Sequence, residues 1–172
     1  MRIATGYGEL GRVLAGLAPL ATGIFFVIIG AVPAGFPEFS SITPLFGLCV
    51  IYFWIMVSPS VMPPAAVFVI GILQDGLSGD LIGLWTLTFL IVQFLTVSQR
   101  RVLLTNVFGH GWFGFAVTAL TAGAIAWLVA CIFYGTLISP VGVFVQALLT
   151  ISIYPVIAWI LIRCWRLLPA SS

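Results

Sequence analysis

The stretch Gly71 to Gly83 reads GILQDGLSGDLIG and gathers the residues most able to do chemistry. It holds Asp75 and Asp80, two of the four acidic residues of the chain, with Gln74, Ser78 and four glycines. Two aspartates in an apolar chain suit an intramembrane aspartyl enzyme, but here both lie within one turn region rather than on separate segments. His110 is the single histidine, and no further ligands stand at a spacing that would complete a metal site with it. No Ser–His arrangement or nucleophile motif supports hydrolysis. Cys49, Cys131 and Cys164 show no CxxC spacing and are expected to be inert buried thiols. The sequence therefore predicts no catalysis, no metal and no cofactor.

The carboxylates still need a physical account, because an ionisable side chain at the bilayer centre costs about 2.5–3.5 kcal/mol on insertion scales. Asp80 immediately precedes an apolar run, where it is expected to cap the free N–H groups of a helix. Asp75 ends the preceding run, where a helix dipole disfavours negative charge. Three readings stand for it: solvation at the interface, local groups such as Gln74 and Ser78, or contact with a partner or ligand.

The elements that position this stretch are apolar runs. Of 172 residues, 62% are hydrophobic and 6% charged, against about a quarter charged in soluble domains, so an all-α integral membrane protein is expected. Six runs appear: Val13–Val32, Leu45–Val57, Val61–Gln74, Leu81–Val97, Trp112–Tyr134 and Val141–Ile162. They define a six-helix transmembrane domain over 13–166, between short tails at 1–12 and 167–172. No small-residue cleavage site ends the first run, which is expected to remain as a helix. Gly16, Gly23 and Gly30 share one face of it and invite close helix contact. Tyr52, Phe53 and Trp54 form an aromatic cluster typical of an interface belt. Gly79, Gly83, Thr86, Leu90 and Gln93 share a small, polar side directed inward, and Gly79 is expected to hold the third and fourth helices close. Ala119, Gly123, Ala126 and Ala130 make a seam on the fifth run; Gly142, Gln146 and Thr150 share a face of the sixth.

All six basic residues are arginines, and they set the topology. The positive-inside rule places Arg2 and Arg12, Arg100 and Arg101, and Arg163 and Arg166 in the cytoplasm with both termini. Connections around Glu38 and Ile138 carry no Lys or Arg and belong outside. The net charge of +2 is too small and dispersed for nucleic-acid binding. From Ser60 to Ser98 the chain must start and end on the same side, so it crosses twice or not at all; two crossings make two arms of about 24 Å each. That is short of a hydrocarbon core of about 30 Å. The tip of this third/fourth hairpin, Asp75 to Asp80, is expected to be recessed, a placement that protein or a wet cavity must surround.

Several pieces in order carry a resemblance. Ile51-Tyr52-Phe53-Trp54 leads to Ser58-Pro59-Ser60-Val61-Met62-Pro63-Pro64 and then Gly71-Ile72-Leu73-Gln74-Asp75. Leu77-Ser78-Gly79, Gly83-Leu84-Trp85 and Ser98-Gln99-Arg100-Arg101 follow. This set resembles the MreD family of rod shape-determining proteins, most closely its alphaproteobacterial members. Leu81 stands where members often have Pro, and Val57-Ser58 where many carry a basic residue or His. The resemblance implies a non-enzymatic subunit of the rod (elongation) complex in the bacterial inner membrane, needed for cell shape and lateral peptidoglycan synthesis. It implies MreC as the direct partner, with MreB, RodA and RodA's partner transpeptidase in the wider complex and membrane lipids around it. It marks Trp54, Pro59, Gly71, Gln74, Asp75, Gly79, Asp80 and Gly83 as structural or partner-binding positions. The family fold is similar to the substrate-binding subunits of energy-coupling-factor transporters, which keeps binding of a small molecule or lipid as an alternative. A cavity fed by Asp75, Gln93 and Gln146 would favour that alternative; a filled apolar core would favour a scaffold.

Overall fold

The computed structural model describes residues 5–31, 43–79, 81–105 and 110–167, and side chains over 17–31, 43–79, 81–100 and 111–164. These residues form α1 (Thr5–Ala31), α2 (Phe46–Val57), a one-turn 3₁₀ helix (Pro59–Val61), α3 (Pro64–Ser78), α4 (Leu84–Thr105), α5 (His110–Tyr134) and α6 (Val141–Leu167), with no strand among them. Each apolar run carries one α-helix. Two of the helices, over Gly111–Tyr134 and Val141–Cys164, are long and apolar enough to cross a membrane. By contrast α2 and α3, with 12 and 15 residues, measure only about 18 and 22 Å.

Boundaries differ from the runs for backbone reasons. Helix α1 starts at Thr5, inside the expected tail, and α4 continues past Val97 to Thr105. Once nucleated, a helix gains one hydrogen bond per added residue whatever the side chain, so it carries into polar flanks. At its other end α4 begins late. Leu84 N–H bonds Leu81 C=O in a turn, and Gly83 takes a φ of 97°, a left-handed value that an L side chain rarely adopts.

Helix α2 is the centre of the bundle. All nine residues from Gly47 to Ile55 are buried, and α2 packs on every one of the other five α-helices. This corrects the interface-belt expectation: Tyr52, Phe53 and Trp54 lie inside the bundle because a helix only about 18 Å long, ringed by neighbours, offers them no outer surface. Tyr52 meets Phe115 and Tyr154 edge-on, and those two rings stack at 3.9 Å, joining α2, α5 and α6.

The glycine face of α1 is used as expected. A Cβ on Gly23 would strike Ile70, and one on Gly30 would lie 2.5 Å from Phe46; Gly16 falls outside the described side chains. Of the α5 seam, Ala119 and Ala126 are buried and Gly123 lies against Val143, while Ala130 is half-buried. The outer surface is apolar as well as the core, and a few polar side chains are buried. Asp75, Gln93, Thr88 and Thr150 are buried, while Phe94, Ile132 and Phe144 are exposed at 73%, 79% and 55%. Pro155 inside α6 cannot donate to Ile151 C=O, and the Trp112 indole N–H fills that place at 3.3 Å.

Candidate functional site

The site is the α3–α4 hairpin and the helix ends around it. Asp75 lies one turn before the C-terminus of α3 and is 2% exposed. Its Oδ2 accepts from Gly83 N–H at 3.0 Å, Thr86 N–H at 3.1 Å and the Thr86 hydroxyl at 2.5 Å, while Oδ1 accepts from Trp85 N–H at 2.8 Å. The first backbone N–H groups of a helix have no partner within it, and the helix dipole makes that end positive. Across the hairpin the carboxylate satisfies two such groups of α4, those of Trp85 and Thr86, and the N–H of Gly83 just before it. This is the local reading of Asp75, with different partners from those expected: Gln74 bonds Ser78 instead, amide to hydroxyl, at 3.0 Å. Asp80, the expected cap, lies outside the described residues, and Asp75 takes the N–H groups of Gly83, Trp85 and Thr86.

Close approach makes this reach possible. A Cβ on Gly71 would sit 2.5 Å from Thr86 Cα, so α3 lies directly on the first turn of α4. Gly79 has the other role of a glycine. It ends α3 in a left-handed conformation at φ 69°, with open space where its Cβ would be. The expectation that Gly79 holds the two helices together is therefore corrected: Gly71 does so, because it lies on the packed face one turn before Asp75.

The same device recurs at both ends of α2. At its C-terminus Arg100 Nε and Nη2 donate to Met56 C=O at 3.3 and 3.1 Å, and Nη2 reaches Val57 C=O at 3.4 Å. A cation suits the negative end of a helix dipole. At its N-terminus Leu45 N–H donates to the Thr150 hydroxyl at 3.0 Å, and the Gln146 amide N–H donates to Thr43 C=O at 2.8 Å. Gln93 Nε2 donates to Met62 C=O, closing the 3₁₀ helix that Pro59 opens, at 2.9 Å. Trp54 Nε1 donates to the Thr22 hydroxyl on α1 at 3.0 Å. Among the described residues no buried side-chain nitrogen or oxygen lacks a partner.

Of the topology arginines, Arg100 and Arg163 have described side chains; Arg163 stands over the Trp159 ring at 5.4 Å. Arg12, Arg101 and Arg166 lie outside the described side chains, as does His110. No group of three His, Cys, Asp or Glu able to hold a metal occurs among the described residues. A cavity of about 310 Å³ opens between the first turn of α4 and helices α5 and α6, bordered by Trp85, Trp127, Tyr134, Ser139 and Gln146. Gln146 reaches it, but Asp75 and Gln93 do not line it.

The arrangement can hold short helix ends at depth. It offers no free carboxylate at Asp75, whose two oxygens face four donors. Sequence reasoning missed the cap on α2 by Arg100 and the Thr150–Gln146 pair. The available signal for the first was a helix too short to span, whose end must find a donor. Comparison with protein-family models, with curated proteins and with solved structures finds no match in any of the three. Among the described residues the fold is all-helical, with two helices long and apolar enough to cross a membrane.

Proposed function

We propose that this chain is a non-enzymatic, six-span inner-membrane subunit of the rod complex, of the MreD type, with both termini cytoplasmic and MreC as its direct partner. The observation that carries the reading is Asp75: the one acidic side chain described is fully engaged in holding α4 to α3. A general acid, base or nucleophile needs a group free to meet substrate. Of the residues that carry the resemblance, Asp75, Gly83 and Arg100 lie in the bonds at helix ends, Gly71 in the close α3–α4 approach and Trp54 in a bond to Thr22 on α1. The proposed topology is supported by which ends meet. Arg100 bonds the end of α2, both cytoplasmic in this reading, and the start of α2 bonds Gln146 and Thr150, which lie in the half of α6 that this reading places toward the outside. The short α2 and α3 suit the reading because neighbours, not lipid, surround their ends.

The alternative, a membrane subunit that binds a small molecule or lipid, draws on the cavity beside Trp85 and Gln146. It is the lesser reading because Gln146 already donates its amide to Thr43. Depletion of the protein in its rod-shaped host tests the proposal. Loss of rod shape and of lateral peptidoglycan incorporation is expected; unchanged shape and incorporation would overturn it.

A further inference from the structure

Charge divides along this chain. Residues 81–172 hold Arg100, Arg101, Arg163 and Arg166 and no Asp or Glu. Asp75, the one acidic side chain described, binds the first turn of α4, at the opposite end of that helix from Arg100. The arginines gather at the other end of the bundle. Leu45 meets Thr150 and Tyr52 meets Tyr154, so α2 and α6 run in the same direction. Arg100 holds the last carbonyls of α2, and Arg163 lies about two and a half turns past Tyr154 on α6. Phe115 stacks on Tyr154, which brings the start of α5 to this end, with Trp112 and Phe113 exposed. Trp159 is exposed at this end as well, and the Arg163 guanidinium stands over its ring at 5.4 Å.

In the membrane placement proposed above, on which this inference rests, depth decides what meets Arg163. From Val141 to Arg163 α6 rises about 33 Å, against a hydrocarbon core of about 30 Å. The guanidinium therefore stands at the level of the lipid phosphates, with the Trp159 ring one turn below it at the boundary that amphipathic rings favour. A guanidinium over an aromatic face still presents N–H groups that grip a phosphate through two parallel hydrogen bonds. We infer that Arg163 on Trp159 is a binding site for the phosphate of an anionic glycerophospholipid in the surrounding leaflet. Charge complementarity selects the lipid. This half of the chain supplies four cations and no anion, whereas a zwitterionic headgroup already carries a cation beside its phosphate. The planar fork selects arginine over lysine, which would offer only a point charge.

The test titrates the purified full chain in neutral detergent micelles with dioleoylphosphatidylglycerol or dioleoylphosphatidylcholine, and native mass spectrometry counts the bound lipid. The first phosphatidylglycerol should bind about 10-fold more tightly than phosphatidylcholine. Arg163→Lys and Trp159→Leu, both at exposed positions, should each lower that preference about 3- to 10-fold. Trp159→Tyr keeps a ring under the guanidinium and should retain most of it. Equal binding of the two lipids would overturn the inference. So would a preference lost in Arg163→Gln but intact in both Arg163→Lys and Trp159→Leu, since surface charge alone explains that pattern. Displacement of the bound lipid by inorganic phosphate would assign the site to a free anion and overturn it too. Loss of MreC capture in Arg163→Lys with the lipid preference unchanged would give the arginine to a protein partner instead. Capture of MreC without any lipid preference would remove the site and leave the proposed function standing.

Discussion

Replacement of Asp75 by Asn tests the hairpin with one atom changed. The carboxylate accepts four hydrogen bonds, three at Oδ2 and one at Oδ1. Asn has one acceptor oxygen. If it takes the place of Oδ2, three bonds survive without charge and the NH₂ is set against Trp85 N–H, donor against donor. The lost bond is worth about 1–2 kcal/mol, and an unsatisfied buried donor a further 1–3 kcal/mol. Asp75→Asn should therefore destabilise by about 2–5 kcal/mol, more than the roughly 1 kcal/mol of an ordinary helix cap. Asp75→Leu removes all four bonds and should cost about 4–6 kcal/mol, close to the whole stability of a small domain. Thr86→Val removes one bond and should cost about 1–1.5 kcal/mol. Thermal unfolding in one fixed lipid composition gives the order, with hydrogen exchange at Gly83, Trp85 and Thr86 as the local readout. If Asp75→Asn unfolded within about 0.5 kcal/mol of wild type, with those amides still protected, the capping argument would be wrong.

Three further outcomes follow from the same geometry. Gly71→Leu should prevent normal α3–α4 packing, because its Cβ meets Thr86 Cα rather than a movable side chain, whereas Gly79→Leu should cost only about 1–2 kcal/mol for its left-handed backbone; unfolding of both variants compares them. Arg100→Gln should destabilise by about 1–2 kcal/mol, since half-buried bonds to Met56 and Val57 carbonyls are lost, and exchange at the end of α2 should rise. Cysteine labelling after residues 38, 100 and 138 should read outside, inside, outside; labelling of position 100 from outside would refute the six-span topology.

The helices were legible because apolar runs in a chain with 6% charge have one economical solution, a helix that satisfies its own backbone. The Gly23–Gly30 face and the α5 seam were legible because small residues at helical spacing announce close packing. The partner of Asp75 was not. From sequence, a negative charge at the end of a helix looks misplaced, and the compensating groups are backbone N–H groups eight to eleven residues on, which have no side-chain signature. Thr86 was placed inward, but its hydroxyl bond depends on the close approach at Gly71. Arg100 was read only as a topology charge because its acceptors, the carbonyls of Met56 and Val57, are likewise backbone. Trp54 was misplaced because aromatic clusters mark interfaces only where a helix reaches one.

Pull-down of MreC by the tagged full chain from native membranes, at matched membrane levels, bears most directly on the proposed subunit role. Wild type should retain MreC, and Gly71→Leu and Asp75→Leu should lose it in step with the loss of folded protein. Absence of MreC from well-folded wild-type protein would contradict the account.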